Sequence, residues 1–266
     1  AEHRLWYAAD LADRVFYLRE GRLERVYSRA EFLSLSEERR RAMGLRSLAE
    51  VPLQEPQRTP GETGDGLSVR GLRASYDRTA VWEQVSFSAP RGQITAITGH
   101  NGAGKTTLAR CLCGLMKEKT GTILWDGKPA SRKERKRLGF LIMQDVNLQL
   151  FADSVLAEAQ LGNDANEMEA MAALERMDLA QYAQAHPLAL SGGQKQRLAI
   201  VDGCLSGKEL VIFDEPTSGL DYAHMLEVSR LLQELAEQGL CVLVITHDGE
   251  FLQENGARVI SWLPAN

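Results

Sequence analysis

The stretch Gly99-His-Asn-Gly-Ala-Gly-Lys-Thr106 decides the fold. The residues before it, Ile94-Thr-Ala-Ile-Thr98, are β-branched and apolar and read as a buried strand. The residues after it, Thr107-Leu-Ala-Arg-Cys-Leu-Cys-Gly114, read as a short helix. Strand, glycine-rich turn, Lys-Thr and helix together form the context that a phosphate-binding loop requires. Gly99, Gly102 and Gly104 let the backbone curl so that successive N–H groups point inward at phosphate oxygens. The helix that begins there adds its positive N-terminal end. Lys105 supplies a mobile cation for the β- and γ-phosphates, and the Thr106 hydroxyl is placed to ligate Mg²⁺.

Two stretches downstream supply what such a cradle needs. Glu209-Leu-Val-Ile-Phe-Asp214-Glu215 is an apolar strand ending in two carboxylates. Expected beside the strand that enters the cradle, it brings Asp214 near the Mg²⁺ on Thr106. Glu215 then accepts a hydrogen bond from a water lined up on the γ-phosphate and acts as general base. Leu190-Ser-Gly-Gly-Gln-Lys-Gln-Arg197 opens a helix at Ser191 with exposed amides, a second anion site.

In this order the motifs resemble the ATP-binding cassette (ABC) ATPases, whose signature is Leu-Ser-Gly-Gly-Gln, over roughly residues 66–256. The resemblance implies an α/β fold: a P-loop NTPase with a mostly parallel core sheet, an antiparallel β subdomain and an α-helical subdomain at about residues 145–200. It implies ATP and Mg²⁺ as cofactors. Tyr76 stands where the family stacks an aromatic ring on adenine. Asn101, Gly102, Ala103, Gly104, Lys105, Thr106 and Thr107 fall at nucleotide-binding positions. Gln144 matches the glutamine that senses Mg²⁺ and the attacking water, so Thr106, Gln144 and Asp214 form the metal set. Ser191, Gly192, Gly193 and Gln194 match the signature that closes over the γ-phosphate of an opposite unit. Pro216-Thr-Ser-Gly-Leu-Asp221 matches the loop that touches that unit, and His247 the switch histidine. Glu215, His247 and Gln144 are then the catalytic candidates.

The run Gln144-Asp-Val-Asn-Leu-Gln-Leu-Phe151 resembles the ATPase subunits of energy-coupling-factor (ECF) importers, where Gln is followed by a short helix ending Gln-Leu-Phe. Many members carry a proline in that interval; here Asp-Val-Asn stands instead. The likeness implies a peripheral protein on the cytoplasmic face of the cell membrane. There, two ATPases drive a scaffold that imports a vitamin or metal ion. Leu148, Leu150 and Phe151 are expected to line a groove for a coupling helix of that scaffold. The rival reading is a soluble tandem ABC ATPase acting on ribosomes or other machinery. Such proteins usually join their units by a long charged helical arm, which the linker described next does not resemble. A cassette that binds without turnover would lack Glu215 or His247, and both are present. The interval from Lys105 to Asp214 has no room for the long coiled coil of chromosome-maintenance relatives.

Residues 50–66 hold three prolines and three glycines without periodicity and read as a linker. Before it, Arg14-Val-Phe-Tyr-Leu18 is strand-like and Glu20-Gly21 a turn. Ser28 and Glu31 stand at capping-box spacing, opening a helical stretch that Gly44 closes. Glu2-His3 aligns with Thr246-His247, and the same offset aligns Asp13-Arg14-Val15-Phe16 with Ala257-Arg258-Val259-Ile260. Residues 1–49 therefore read as the end of a preceding ATPase unit and 67–266 as a complete one. The chain, which begins at Ala1, reads as a piece of a longer polypeptide. Its expected partner is a second ATPase unit, either the upstream half of the same polypeptide or a second copy.

Composition agrees with these readings. The 266 residues carry a net charge of −5, which argues against a general nucleic-acid binder. No stretch is long and apolar enough to cross a bilayer; Leu240-Cys-Val-Leu-Val-Ile-Thr246 is only strand length. Cys111 and Cys113 point to different helix faces and cannot form a metal-ligand pair alone, and with Cys204 and Cys241 they read as buried reduced thiols of a cytosolic protein. The basic run Arg132-Lys-Glu-Arg-Lys-Arg137 reads as a solvated helix face. Trp6, Trp82, Trp125 and Trp262 read as packing residues, and His100 as structural.

Overall fold

A computed structural model describes residues 5–6, 9, 11–19, 21–53, 64–76, 79–100 and 102–261. Glu2, His3, Asn101, Trp262 and most of the linker lie outside the described residues, as does the side chain of Tyr76. The first segment is a hairpin, β1 (Arg14–Arg19) and β2 (Arg22–Ser28), followed by α1 (Arg29–Leu33) and α2 (Glu37–Ala42). Its predicted capping box forms: Ser28 Oγ accepts from the Glu31 amide while the Glu31 carboxylate accepts from the Ser28 amide. Gly44 follows α2 at φ 73°, a left-handed position glycine adopts without strain.

Beyond the linker come β3 (Leu67–Tyr76), β4 (Thr79–Ala89), β5 (Ile94–Thr98), α3 (Lys105–Leu112), β6 (Thr120–Trp125), β7 (Lys128–Pro129), α4 (Arg132–Leu138) and β8 (Gly139–Ile142). The helical stretch follows, with α5 (Val155–Ala159), α6 (Glu167–Arg176) and α7 (Gly192–Leu205). The chain then runs through β9 (Leu210–Asp214), α8 (Tyr222–Glu237), β10 (Cys241–Ile245), α9 (Gly249–Asn255) and β11 (Arg258–Ser261). Two sheets carry this part. One is parallel, in the order β11-β5-β10-β9-β8; the other is antiparallel, in the order β4-β3-β6-β7.

The parallel strands are buried on both faces, which is why β5, β9 and β10 read as unbroken apolar runs rather than alternating ones. Alternation survives in where each side chain goes. Val211, Phe213, Val242 and Val244 enter a core shared with α7, α8 and α9. Ile212, Leu243 and Ile245 enter a second core with α3 and the antiparallel sheet. The sheet thus separates two hydrophobic layers and presents the carboxyl ends of β5, β9 and β10 along one edge, the side where ligands meet parallel sheets.

One expectation fails here. The strand bearing Asp214 does not lie beside the strand entering the cradle; β10 runs between β5 and β9. The site still assembles because α3 packs over β8 and β9, carrying its first turn across the sheet. The basic run is also only partly a solvated face. Arg135 is buried, its guanidinium gripping both Glu118 oxygens and the Cys111 carbonyl. No disulfide joins the cysteines; burial pushes the thiol of Cys111 up to about 11 and those of Cys113 and Cys241 up to about 12.

Candidate active site

The loop from β5 to α3 curls as its glycines require. Gly102 and Gly104 sit at φ 83° and 85°, and a Cβ on Gly102 would meet open space, the side a phosphate would occupy. Lys105 is only 8% exposed, and its ammonium donates to the carbonyls of Gly99 (2.7 Å) and His100 (2.9 Å). Two of its three donors thus hold the loop's shape, leaving the third for a phosphate oxygen. His100 contributes its backbone carbonyl to this grip. Trp82 is more than a packing residue: its indole N–H donates to the Gly104 carbonyl at 3.2 Å, tying β4 to the end of the loop. Ala103 and Thr107 are buried beneath the loop.

Thr106 Oγ1 donates to Asp214 Oδ2 at 2.7 Å. Asp214 is 1% exposed, and burial raises its pKa. The Thr106 hydrogen bond and the Lys105 charge pull the other way, while the Glu215 charge adds to the rise. A buried carboxylate and a hydroxyl side by side form the hard oxygen donor set that suits Mg²⁺ shared with phosphate and water. No cluster of three or more His, Cys, Asp or Glu side chains able to hold a metal occurs among the described residues.

Glu215 takes φ 53°, a left-handed conformation that costs a non-glycine residue on the order of 1–3 kcal/mol. Its amide continues the sheet by donating to the Ile245 carbonyl at 2.8 Å. Its carboxylate is fixed at both ends. Thr246 Oγ1 donates to Oε2 at 3.0 Å, and His247 Nδ1 lies 2.6 Å from Oε1. His247 is half-exposed, and beside it residues among 46–53 line a shared cavity. Gln144, exposed, lies two residues beyond Ile142, which pairs with Phe213; this levels it with Glu215.

The signature residues are elsewhere. Ser191 and Gln194 close a capping box at the start of α7, with Ser191 Oγ accepting from the Gln194 amide. A Cβ on Gly193 would lie 3.3 Å from the Gly219 carbonyl, so this helix start packs on the loop 216–221. No hydrogen bond joins residues 191–194 to Lys105, Thr106 or Glu215 among the described residues. Asp221 caps α8, accepting from the His224 amide.

Beside Gln144 lies an open groove of about 500 Å³. Leu148 (61% exposed) and Phe151 (74% exposed) line it with Leu115 and Leu161. Leu150 does not belong to this surface. It is 5% exposed and packs in the core, because the 3-10 turn Val146–Leu148 sends it to the opposite side from its neighbours. Gln149, the first residue of the Gln-Leu-Phe ending, ties the turn to the sheet. Its side-chain amide accepts from the Met143 N–H and donates to the Leu141 carbonyl, both at 2.6 Å, as a neighbouring strand would.

Residues 82–218 match the family described as ABC transporter. The chain is 44% identical over 98% of its length to a putative ABC transporter ATP-binding protein of Treponema denticola, of which it covers 55%. The chain belongs to the ABC transporter family. As in that family, it is an ATP-binding cassette ATPase, a unit that binds ATP, generally with Mg²⁺. It is 34% identical over 79% of its length to the putative HMP/thiamine import ATP-binding protein YkoD of Bacillus subtilis, covering 40% of it. The solved structure of cbiO1 from Clostridium perfringens, described as part of the ABC transporter complex cbiONQ, matches 68% of the cassette chain. That match has a TM-score of 0.58 and 31% identity and covers 78% of the solved chain. The cassette chain spans about half the length of the Treponema relative. No helix among the described residues is long and apolar enough to cross a membrane.

Proposed function

We propose that this chain is the second ATPase unit of a fused ECF-type importer, whose ATP hydrolysis drives uptake of a small solute, a vitamin or metal ion. The carrying observation is the apolar groove at Leu148 and Phe151, next to Gln144 and joined to β8 through Gln149. A membrane scaffold helix seated there would feel the state of the γ-phosphate through a few residues. The import wording in the name of the YkoD relative supports this direction, and the description of cbiO1 as part of the ABC transporter complex cbiONQ supports a transporter assembly. In this reading the protein is peripheral, on the cytoplasmic face of the membrane.

The site assignments are carried over from the family resemblance, and the contacts of Lys105, Thr106, Asp214 and Glu215 support them. Glu215 is the general base, oriented by Thr246 and His247, and Gln144 faces the attacking water. Lys105 and the amides of residues 101–107 hold the phosphates, Tyr76 the adenine, and Thr106, Asp214 and Gln144 the Mg²⁺. Ser191, Gly192, Gly193, Gln194 and Asp221 serve an opposite unit, consistent with the separation of α7's start from the cradle in this chain.

Residues 1–49 are proposed to end a preceding ATPase unit, 50–66 to link, and 67–266 to form the complete unit. The hairpin supports this. Phe16 pairs with Val26 and Leu18 with Leu23, so four exposed apolar side chains share one face. A sheet face of that kind requires cover, and strands of an upstream unit would give it. Turnover per intact cradle should rise several-fold when the upstream unit is restored, because a hetero-pair surface need not be self-complementary. Equal turnover with and without it counts against the tandem pair.

Phe151→Ala tests the groove. The expected result is weaker binding to the co-purified scaffold and lower uptake, with nucleotide affinity and melting temperature within experimental error of the parent. Phe151 is too exposed for its loss to leave a cavity. A melted domain that keeps its scaffold would make Phe151 a packing residue and move the docking site elsewhere.

A further inference from the structure

A relay of hydrogen bonds runs from the first segment to the carboxylate assigned as general base. We propose that Arg46 is a positioning residue for ATP hydrolysis. It fixes Asp248, and through it the hydrogen bonds that orient Glu215. In doing so it lets the segment before the linker set the competence of the cradle after it.

Arg46 is 1% exposed and lies 202 positions from its main partner. Its Nη2 donates to both Asp248 oxygens at 2.7 Å, and its Nε donates to Glu250 Oε2 at 2.7 Å. The Ser47 amide adds a bond to Glu250 Oε1 at 3.1 Å. Arginine suits this place because its planar fork meets two carboxylates with fixed directions. The neighbouring contacts bring it there. Tyr222's amide donates to the Gly44 carbonyl, Arg41 lies over the Tyr222 ring at 5.0 Å, and Gly249 leaves room for Val51, whose carbonyl would sit 2.0 Å from an added Cβ.

Asp248 joins this contact to the chemistry. Its carboxylate also accepts from Thr217 Oγ1 (2.6 Å), in the loop after Glu215, and from the Phe251 amide. Its own N–H donates to Thr246 Oγ1 at 3.1 Å. A hydroxyl has one hydrogen and two lone pairs. With one lone pair taken by Asp248, the Thr246 hydrogen is directed at Glu215 Oε2, 3.0 Å away. The chain of bonds runs Arg46, Asp248, Thr246, Glu215, and His247 stands between two of its members in sequence. Removing the guanidinium takes from a buried carboxylate the donor that holds both of its oxygens, so Asp248 shifts. That shift displaces the backbone N–H that aims Thr246. ATP affinity, set at residues 99–106, should be little affected; the rate of the water's attack should fall.

This goes beyond the tandem reading and rests on it only for what Arg46 would report, the state of a preceding unit. The test measures ATP hydrolysis by the intact polypeptide in detergent, without solute, so a failure of the import reading on the membrane side leaves it unaffected. Arg46→Met should lower kcat about fivefold or more with KM for ATP within about twofold of the parent. Arg46→Lys, which keeps the charge but not the fork, should recover at least half of that loss. Arg41→Met, from the same docked segment but outside the relay, should keep parental kcat. Parental kcat in a folded Arg46→Met protein overturns the proposal, and so does an equal fall in Arg41→Met, which would reduce Arg46 to a docking contact. If Arg46→Met does not fold, Arg46→Lys decides alone: kcat about twofold below the parent at unchanged KM supports the proposal, and parental kcat overturns it.

Discussion

Replacing Glu215 by Gln should lower ATP turnover roughly 10²-fold or more while leaving nucleotide affinity close to parental. The amide keeps the volume of the carboxylate and accepts the Thr246 hydroxyl through its oxygen, so the left-handed backbone and the sheet contact to Ile245 persist. What it lacks is a lone pair basic enough to take a proton from water. The protein should then accumulate with ATP bound and its two units closed, visible as a nucleotide-dependent shift in size-exclusion chromatography. Parental hydrolysis in Glu215→Gln would remove Glu215 from the role of base and leave His247 or Gln144 to be tested.

Lys105→Ala should act one step earlier. A charge-assisted bond to phosphate contributes about 1.5–3 kcal/mol, so nucleotide binding should weaken about 10- to 10²-fold. The loop loses support as well, since Lys105 holds the carbonyls of Gly99 and His100. Both effects have the same sign. Titration with a fluorescent ATP analogue checks the result. Parental affinity with lost turnover would mean that Lys105 works only on the charge that develops during reaction.

Much of the site was legible because its parts are short and local. Residues 99–106, 190–197 and 209–215 each declare a strand end or helix start through glycine spacing and apolar runs. The sheet order was not legible, since a run such as Leu210–Asp214 does not say which strand lies beside it; β10 entered where direct contact with β5 was expected. The separation of Leu150 from Leu148 and Phe151 was hidden for a related reason. Three apolar residues in a tight turn carry no periodicity from which to assign faces. The Trp82 bond to Gly104 and the Arg46 grip on Asp248 join positions far apart in the chain, and neither residue sits in a motif. Such contacts are set by tertiary packing alone. A lone arginine in a charged segment gives no sign that it will be buried, and Arg135 shows the same inside a run that reads as a solvated face.

Capture of the intact polypeptide from detergent-solubilised membranes, followed by identification of what is retained, tests the transporter assignment most directly. An integral membrane protein held in fixed proportion, and released by Phe151→Ala, is the expected result. Recovery from the ribosome fraction, with active hydrolysis and no membrane protein bound, would contradict it.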